Sequence, residues 1–169
     1  KQLKEEVIPK MEKVSGKKFD MDRLSKMMVN SAKAEDLLVK ILESAKHKPS
    51  PIDAYFAGVY YIGPIFTAFR GTEAAVEYYT ELYNEVQERV RLGLGPITPE
   101  GELKEEKFRL VVEGPPNWTN FREFWKIFYD MGAVIVASSY TKVGGVYDMG
   151  FRHDPNEPLE SLSRYCMGC

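Results

Sequence analysis

The chain has 169 residues with 44% hydrophobic and 12% aromatic content, which excludes a disordered protein and fits one large domain or parts of two. Its 23 basic and 25 acidic residues are scattered and leave a net charge of −2, so neither a nucleic acid nor an anionic membrane is an expected partner. Two cysteines make no disulfide framework, and a reduced, cytoplasmic setting is the expectation.

Lys1-Gln2-Leu3-Lys4 reads as the interior of an amphipathic helix, and the Cys166-Met167-Gly168-Cys169 ending stops where a metal or redox motif would continue. Both ends suggest a piece of a longer chain, with a sheet whose apolar edges other strands would cover. Leu24, Met28, Ser31, Ala34, Leu38, Ile41, Leu42 and Ala45 recur every three or four positions, which predicts a helix over residues 20–46 with Asp20 as its cap. Pro49 and Pro51 end it. Residues 55–69 follow, rich in aromatics (Tyr55, Phe56, Tyr60, Tyr61, Phe66, Phe69) but broken by Gly63-Pro64. That stretch is short of the roughly 20 residues of a membrane span, so it reads as a buried wall. Ala75, Tyr79, Leu82, Val86 and Val90 predict a second helix over residues 72–92, capped by Thr72 and stopped by Gly93 and Gly95.

Residues 94–107 hold Gly95-Pro96, Pro99 and Gly101 without periodicity, marking a loop and a boundary between a mostly helical region (1–106) and an α/β region (107–169). Strands are predicted over residues 108–113 and 133–138, the second of the doubly buried kind found in parallel sheets. The helix between them, over about residues 120–131, carries an apolar face of Phe121, Phe124, Trp125, Phe128 and Met131, with Asn120 and Glu123 spaced as a capping box. The fold class is therefore α/β: a helical segment, then the start of an open, Rossmann-like parallel sheet whose sites sit at the carboxyl ends of its strands.

By that rule the loops after the two strands carry the candidate site. In Glu113-Gly114-Pro115-Pro116-Asn117-Trp118 the candidates are Glu113, Asn117 and Trp118, at a helix N-terminus whose N–H groups suit a carbonyl oxygen, carboxylate or phosphate. A turn stiffened by prolines and packed by Trp118 fits the same residues. In Ser138-Ser139-Tyr140-Thr141-Lys142-Val143-Gly144-Gly145 the candidates are Tyr140 and Lys142, and the glycine pair has neither P-loop nor dinucleotide order. Arg152 and His153 offer a cation and a titrating imidazole, although Asp154-Pro155 opening a turn is the favoured reading there. Cys166 and Cys169 have a spacing that serves iron–sulfur or zinc ligation, a redox dithiol, or plain buried thiols.

The run from Phe108 to Trp118, with Phe121-Arg122-Glu123-Phe124-Trp125, Ala137-Ser138-Ser139-Tyr140-Thr141-Lys142 and Gly150-Phe151-Arg152-His153-Asp154-Pro155, resembles the B subunits of ATP-dependent benzoyl-CoA reductases. Upstream, Pro49-Ser50-Pro51-Ile52-Asp53-Ala54-Tyr55-Phe56 and Arg70-Gly71-Thr72 extend the likeness over essentially the whole chain. The wider group is the 2-hydroxyacyl-CoA dehydratase D-component superfamily. The resemblance implies a subunit that carries a [4Fe-4S] cluster and holds an aryl-CoA thioester while single electrons reduce its ring. It also implies a homologous cluster-bearing partner, ATP-hydrolysing activator subunits and ferredoxin as electron donor. The cluster's ligand loops would lie before and after this segment, with Cys166 or Cys169 contributing at most one ligand. Tyr140 or His153 would deliver a proton, and N–H groups near Trp118 would meet the thioester oxygen. A 2-hydroxyacyl-CoA dehydratase and a non-catalytic scaffold are the competing readings.

Overall fold

The computed structural model describes residues 1–66, 69–98, 101–103, 105–142 and 153–168. A π-helical turn (Leu3–Val7) leads into helix α1 (Ile8–Ser15), and α2 (Met21–Glu43) continues through a 3-10 turn at Ser44–Lys46. Asp20 caps α2 as expected, its carboxylate accepting the Arg23 N–H at 2.9 Å. Helices α3 (Phe56–Tyr61) and α4 (Gly63–Phe66) precede α5 (Glu73–Leu92), where Thr72 accepts the Ala75 N–H at 3.2 Å and Gly93 closes the end at φ 66°.

α2 and α5 pack along each other around Leu38, Ile41, Tyr79 and Val86. Residues 94–107, expected to be loop alone, contain a short antiparallel pair, β1 (Ile97–Thr98) with β2 (Gly101–Glu102). The sheet expected downstream is present: β3 (Phe108–Val112) and β4 (Ala133–Ser138) run parallel, joined by α6 (Phe121–Asp130). An irregularity between Leu110 and Val111 lets five residues of β3 match six of β4, so Val112 stands opposite Ser138. α7 (Ser139–Lys142) leaves β4 directly, and α8 (Pro158–Gly168) begins on a proline, whose missing N–H costs nothing at that position.

Three sequence expectations are corrected. Asn120 precedes α6 but makes no side-chain capping bond; a 3-10 turn at Trp118–Asn120 feeds the helix instead, so the Asn120/Glu123 box does not form. Met131 lies past the end of α6 and is 59% exposed. The aromatic wall is buried only in part: Tyr55 and Phe56 are inside, whereas Tyr60 and Phe69 are 53% and 55% exposed. Thr67 and Ala68 of that stretch lie outside the described residues.

Phe56 is the centre of the second core. Its ring stacks on Trp125 at 5.2 Å and meets Phe121, Phe124 and Phe128 at 5.4, 6.1 and 5.5 Å, so the apolar face of α6 closes over α3. β4 is flanked on both sides. One side pairs with β3, and the peptide of Ile135 turns to residues 53 and 54, with Ala54 N–H donating to Ile135 O at 2.7 Å and Ile135 N–H donating to Asp53 Oδ2 at 3.0 Å. Asp53 Oδ1 accepts the N–H groups of Tyr55 and Phe56 at 3.0 and 2.7 Å. Arg109 of β3 reaches back to the carbonyls of His47 (3.0 Å) and Ala45 (2.6 Å), satisfying the end of the α2 segment. β3 keeps apolar side chains open, Phe108 at 53% and Val111 at 76% exposure.

Burial pushes the Asp53 carboxyl from the ordinary 3.8 up to about 6, against the pull of its three N–H donors. Between about pH 4 and 6 the folded chain holds a proton that the unfolded chain has released, so stability falls as pH rises through that window and levels off above it. Asp53→Asn should abolish this slope and cost about 1–3 kcal/mol, because the amide presents an N–H to the Ile135 N–H. Urea unfolding from about pH 4 to 7.5 checks both; an Asp53→Asn variant that kept the slope would assign the titration to another group.

Candidate functional site

The loops after β3 and β4 meet at the carboxyl edge of the sheet. Gly114 N–H donates to Ser139 Oγ at 3.2 Å, and Ser138 Oγ accepts the Tyr140 N–H at 3.2 Å. Trp118 is 57% exposed, lies over Phe121 at 5.9 Å and 26°, and meets the Tyr140 ring edge-on at 6.0 Å. Tyr60 touches Phe121 from α3 at 6.2 Å. The result is an open aromatic ledge of Trp118, Phe121, Tyr60 and Tyr140, set beside the N–H groups of the turn that starts α6. Glu113 and Asn117 are exposed in the same loop. Lys142 ends α7, and Arg152 lies outside the described residues.

This arrangement suits a planar apolar group on the ring faces, with a polar oxygen toward the helix start. Tyr55 is core, as the sequence suggested, at 2% exposure; burial first, and then the neighbouring Tyr140, push its phenol above the ordinary value of 10.0. Tyr60 was hidden, since its exposure depends on how α3 docks. The one local signal was Asp53, a lone acid ahead of an aromatic run, where a helix start needs an acceptor.

His153 is held in a different group of residues. Its Nδ1 is within hydrogen-bond distance of Ser161 Oγ at 3.3 Å, and that oxygen also accepts the Asp154 N–H at 2.9 Å. The His153 ring lies 5.3 Å from that of Tyr165, and Arg70 stands 5.8 Å over the Tyr165 ring while pairing with buried Glu35 at 2.9 Å. Burial first, and then the Arg70 charge, lower the His153 pKa, which favours a neutral ring. Asp154 Oδ1 accepts the Asn156 N–H at 2.8 Å, the turn that its Asp-Pro sequence signals.

Cys166 is an exposed free thiol on α8, and Cys169 lies outside the described residues. Among the described residues no three His, Cys, Asp or Glu side chains are gathered so as to hold a metal ion. These residues therefore do not build a cradle for an iron–sulfur cluster. No helix among them is long and apolar enough to cross a membrane.

A sequence profile of the family described as "2-hydroxyglutaryl-CoA dehydratase, D-component" matches residues 1–169. The chain belongs to this family. It is 74% identical over 169 residues to the B subunit of benzoyl-CoA reductase from Thauera aromatica, covering 100% of this chain and 39% of that protein. The (R)-phenyllactyl-CoA dehydratase alpha subunit of Clostridium sporogenes is 27% identical over 142 residues, 84% of this chain and 33% of that one. The alpha subunit of (R)-2-hydroxyglutaryl-CoA dehydratase from Acidaminococcus fermentans is 27% identical over 159 residues, 94% and 30% of the respective chains. This chain thus spans about two fifths or less of the length of these relatives.

Removing Arg70 takes away the cation that faces the buried Glu35 carboxylate. Arg70→Gln should cost about 2 kcal/mol, under the full buried-pair penalty because Arg70 is partly open to water, and Glu35→Gln/Arg70→Gln should recover most of it. In both variants His153 should titrate closer to its ordinary 6.5, read from ring-proton shifts against pH. An unmoved titration would show that burial alone sets it.

Proposed function

We propose that the chain is part of a catalytic subunit of an aryl-CoA reductase, which reduces the ring of benzoyl-CoA to a cyclic dienoyl-CoA by ATP-driven single-electron transfer. The observation that carries this is the 74% identity to a benzoyl-CoA reductase subunit over all 169 residues, against 27% to the dehydratase subunits. On this reading the whole enzyme is cytoplasmic and holds a [4Fe-4S] cluster with ligands beyond the described residues. A homologous cluster-bearing subunit, ATP-hydrolysing activator subunits and ferredoxin complete it.

The residues of this chain serve the substrate. The Trp118–Phe121–Tyr60 ledge takes the flat ring, and its apolar faces keep water from the thioester. Negative charge that builds on the thioester oxygen meets the N–H groups of the turn at Trp118–Asn120 and the start of α6. Tyr140 is the favoured proton donor. It stands against Trp118 at the sheet edge, whereas His153 is held beside Ser161 and Tyr165 in a separate group of residues. Glu113, Asn117, Lys142 and Arg152 supply polar contacts around the thioester arm, and Cys166 or Cys169 offers the cluster at most one ligand.

Assayed without oxygen in the reconstituted enzyme, benzoyl-CoA should be consumed and 2-hydroxyacyl-CoA esters left intact. Tyr140→Phe should lower kcat by about a hundredfold, and Trp118→Ala should lower kcat/KM about tenfold, mainly through KM. Turnover of the 2-hydroxyacyl esters alone would make the enzyme a dehydratase, and turnover of neither class by an intact complex would make this subunit a scaffold.

A further inference from the structure

α7 is four residues long, too short to hold itself in place, yet it carries Tyr140. Its position is set from α3 and the segment before it. Thr141 is 2% exposed and its hydroxyl donates to Ala54 O at 2.9 Å, with Ser138 O at 3.3 Å as a second acceptor. On its other side the Thr141 methyl lies against Gly58 of α3, where an added Cβ would come 2.6 Å from Thr141 Cγ2 and 3.3 Å from Thr141 Cβ. Gly58 is not among the glycines of positive φ, so no unusual backbone angle calls for glycine there. Within a helix, glycine is about 1 kcal/mol worse than alanine. What the residue gives in return is the close approach of α7 to α3.

That approach is transmitted to the site through one peptide bond. The Tyr140 N–H is fixed by Ser138 Oγ, and the Tyr140 ring packs against residues of both cores while meeting Trp118. A shift of Thr141 outward therefore moves the phenol away from the ledge. We infer that Gly58 and Thr141 are positioning residues for Tyr140: the glycine-to-methyl contact and the Thr141–Ala54 hydrogen bond together set where the phenol stands over the ledge. This rests on the role given to Tyr140 above.

The test is a set of substitutions in the reconstituted enzyme, with kcat and KM for benzoyl-CoA and the melting temperature of each variant. Gly58→Ala should lower kcat about ten- to a hundredfold with little change in KM, the scale expected when a reacting group is displaced by an ångström or so. Thr141→Ser, which removes the crowded methyl and keeps the hydroxyl, should restore most of that loss when combined with Gly58→Ala. In a Tyr140→Phe background Gly58→Ala should lower kcat no further, because the group it displaces has gone. A kcat unchanged by Gly58→Ala, a loss that adds fully to that of Tyr140→Phe, or no rescue by Thr141→Ser would each overturn the inference. If Gly58→Ala does not fold, Thr141→Val takes its place, keeping the volume and losing the hydrogen bond. It should lower kcat except in the Tyr140→Phe background, and an unchanged kcat overturns the inference. A Tyr140→Phe enzyme with undiminished kcat removes Tyr140 from the reaction and this inference with it, whereas a slow Tyr140→Phe beside a fully active Gly58→Ala overturns the inference alone.

Discussion

The carboxylate of Asp53 sits where the helical half of the chain meets the sheet, and most of the geometry above follows from its bonds. One oxygen accepts two N–H groups at the start of α3, the other accepts the Ile135 N–H of β4, and the next peptide completes the contact through Ala54 N–H and Ile135 O. On the flank of β4 opposite β3, the Ile135 peptide is thereby satisfied without a third strand. An unpaired peptide group buried at that place would be costly, and a carboxylate with two oxygens is the compact way to serve three donors. The same bonds place Phe56 under α6, where four aromatic rings of that helix surround it. The price is a buried acid whose protonation is linked to folding.

From this junction the order of positions runs outward to the site. Ala54 O receives the Thr141 hydroxyl, Thr141 leans on Gly58, and Tyr140 is carried to the edge of Trp118. The ledge is thus placed by two docked elements, α3 and α6, and a short third, α7, held against α3. Rigid support of this kind holds the ledge rings in one arrangement, since the rings themselves offer no directional bonds. In the second group of polar residues, Arg70 links α2 to α8 by pairing with Glu35 and standing over the Tyr165 ring, and Ser161 ties the preceding turn at His153 and Asp154 to α8. It shares chemistry-bearing residues with the sequence candidates, but it is built to hold a helix.

The two arginines that reach furthest across the fold act differently. Arg109 takes carbonyls at the end of the α2 segment while pairing with nearly buried Glu106, whose other oxygen accepts the Ser50 N–H at 2.6 Å. Arg70 pairs with Glu35 in the middle of α2. Both acids are covered, so each pair is structural mainly because losing the arginine would leave a buried carboxylate without its countercharge. The β3 side chains Phe108 and Val111 stay open to solvent in a sheet of two strands among the described residues.

Helix and strand positions were legible in the sequence because their signals are local. Period and caps delimit α2 and α5 to within a few residues, and two β-branched runs around an aromatic helical face give β3, α6 and β4 with their parallel pairing. The dense motifs from Phe108 to Trp118 fixed the family, since they record side chains and not contacts. What failed depended on contacts: the Asn120/Glu123 spacing fits a capping box, but the preceding 3-10 turn sets a backbone that does not close it. Tyr55 and Tyr60 look equivalent along the chain, yet docking of α3 buries one and opens the other. Trp118 and Tyr140 were candidates on separate loops; only the parallel pairing of their strands, with Gly114 bonded to Ser139, brings the two rings together. His153 was a candidate by residue type, and the tertiary structure turned it to Ser161 and Tyr165. The sequence by itself determined the elements, their order and the family, because periodicity and motif are written in neighbouring residues. Which side chains share a site was decided by the fold, because the bonds that place them, such as Asp53 to Ile135 and Thr141 to Ala54, join residues more than eighty positions apart.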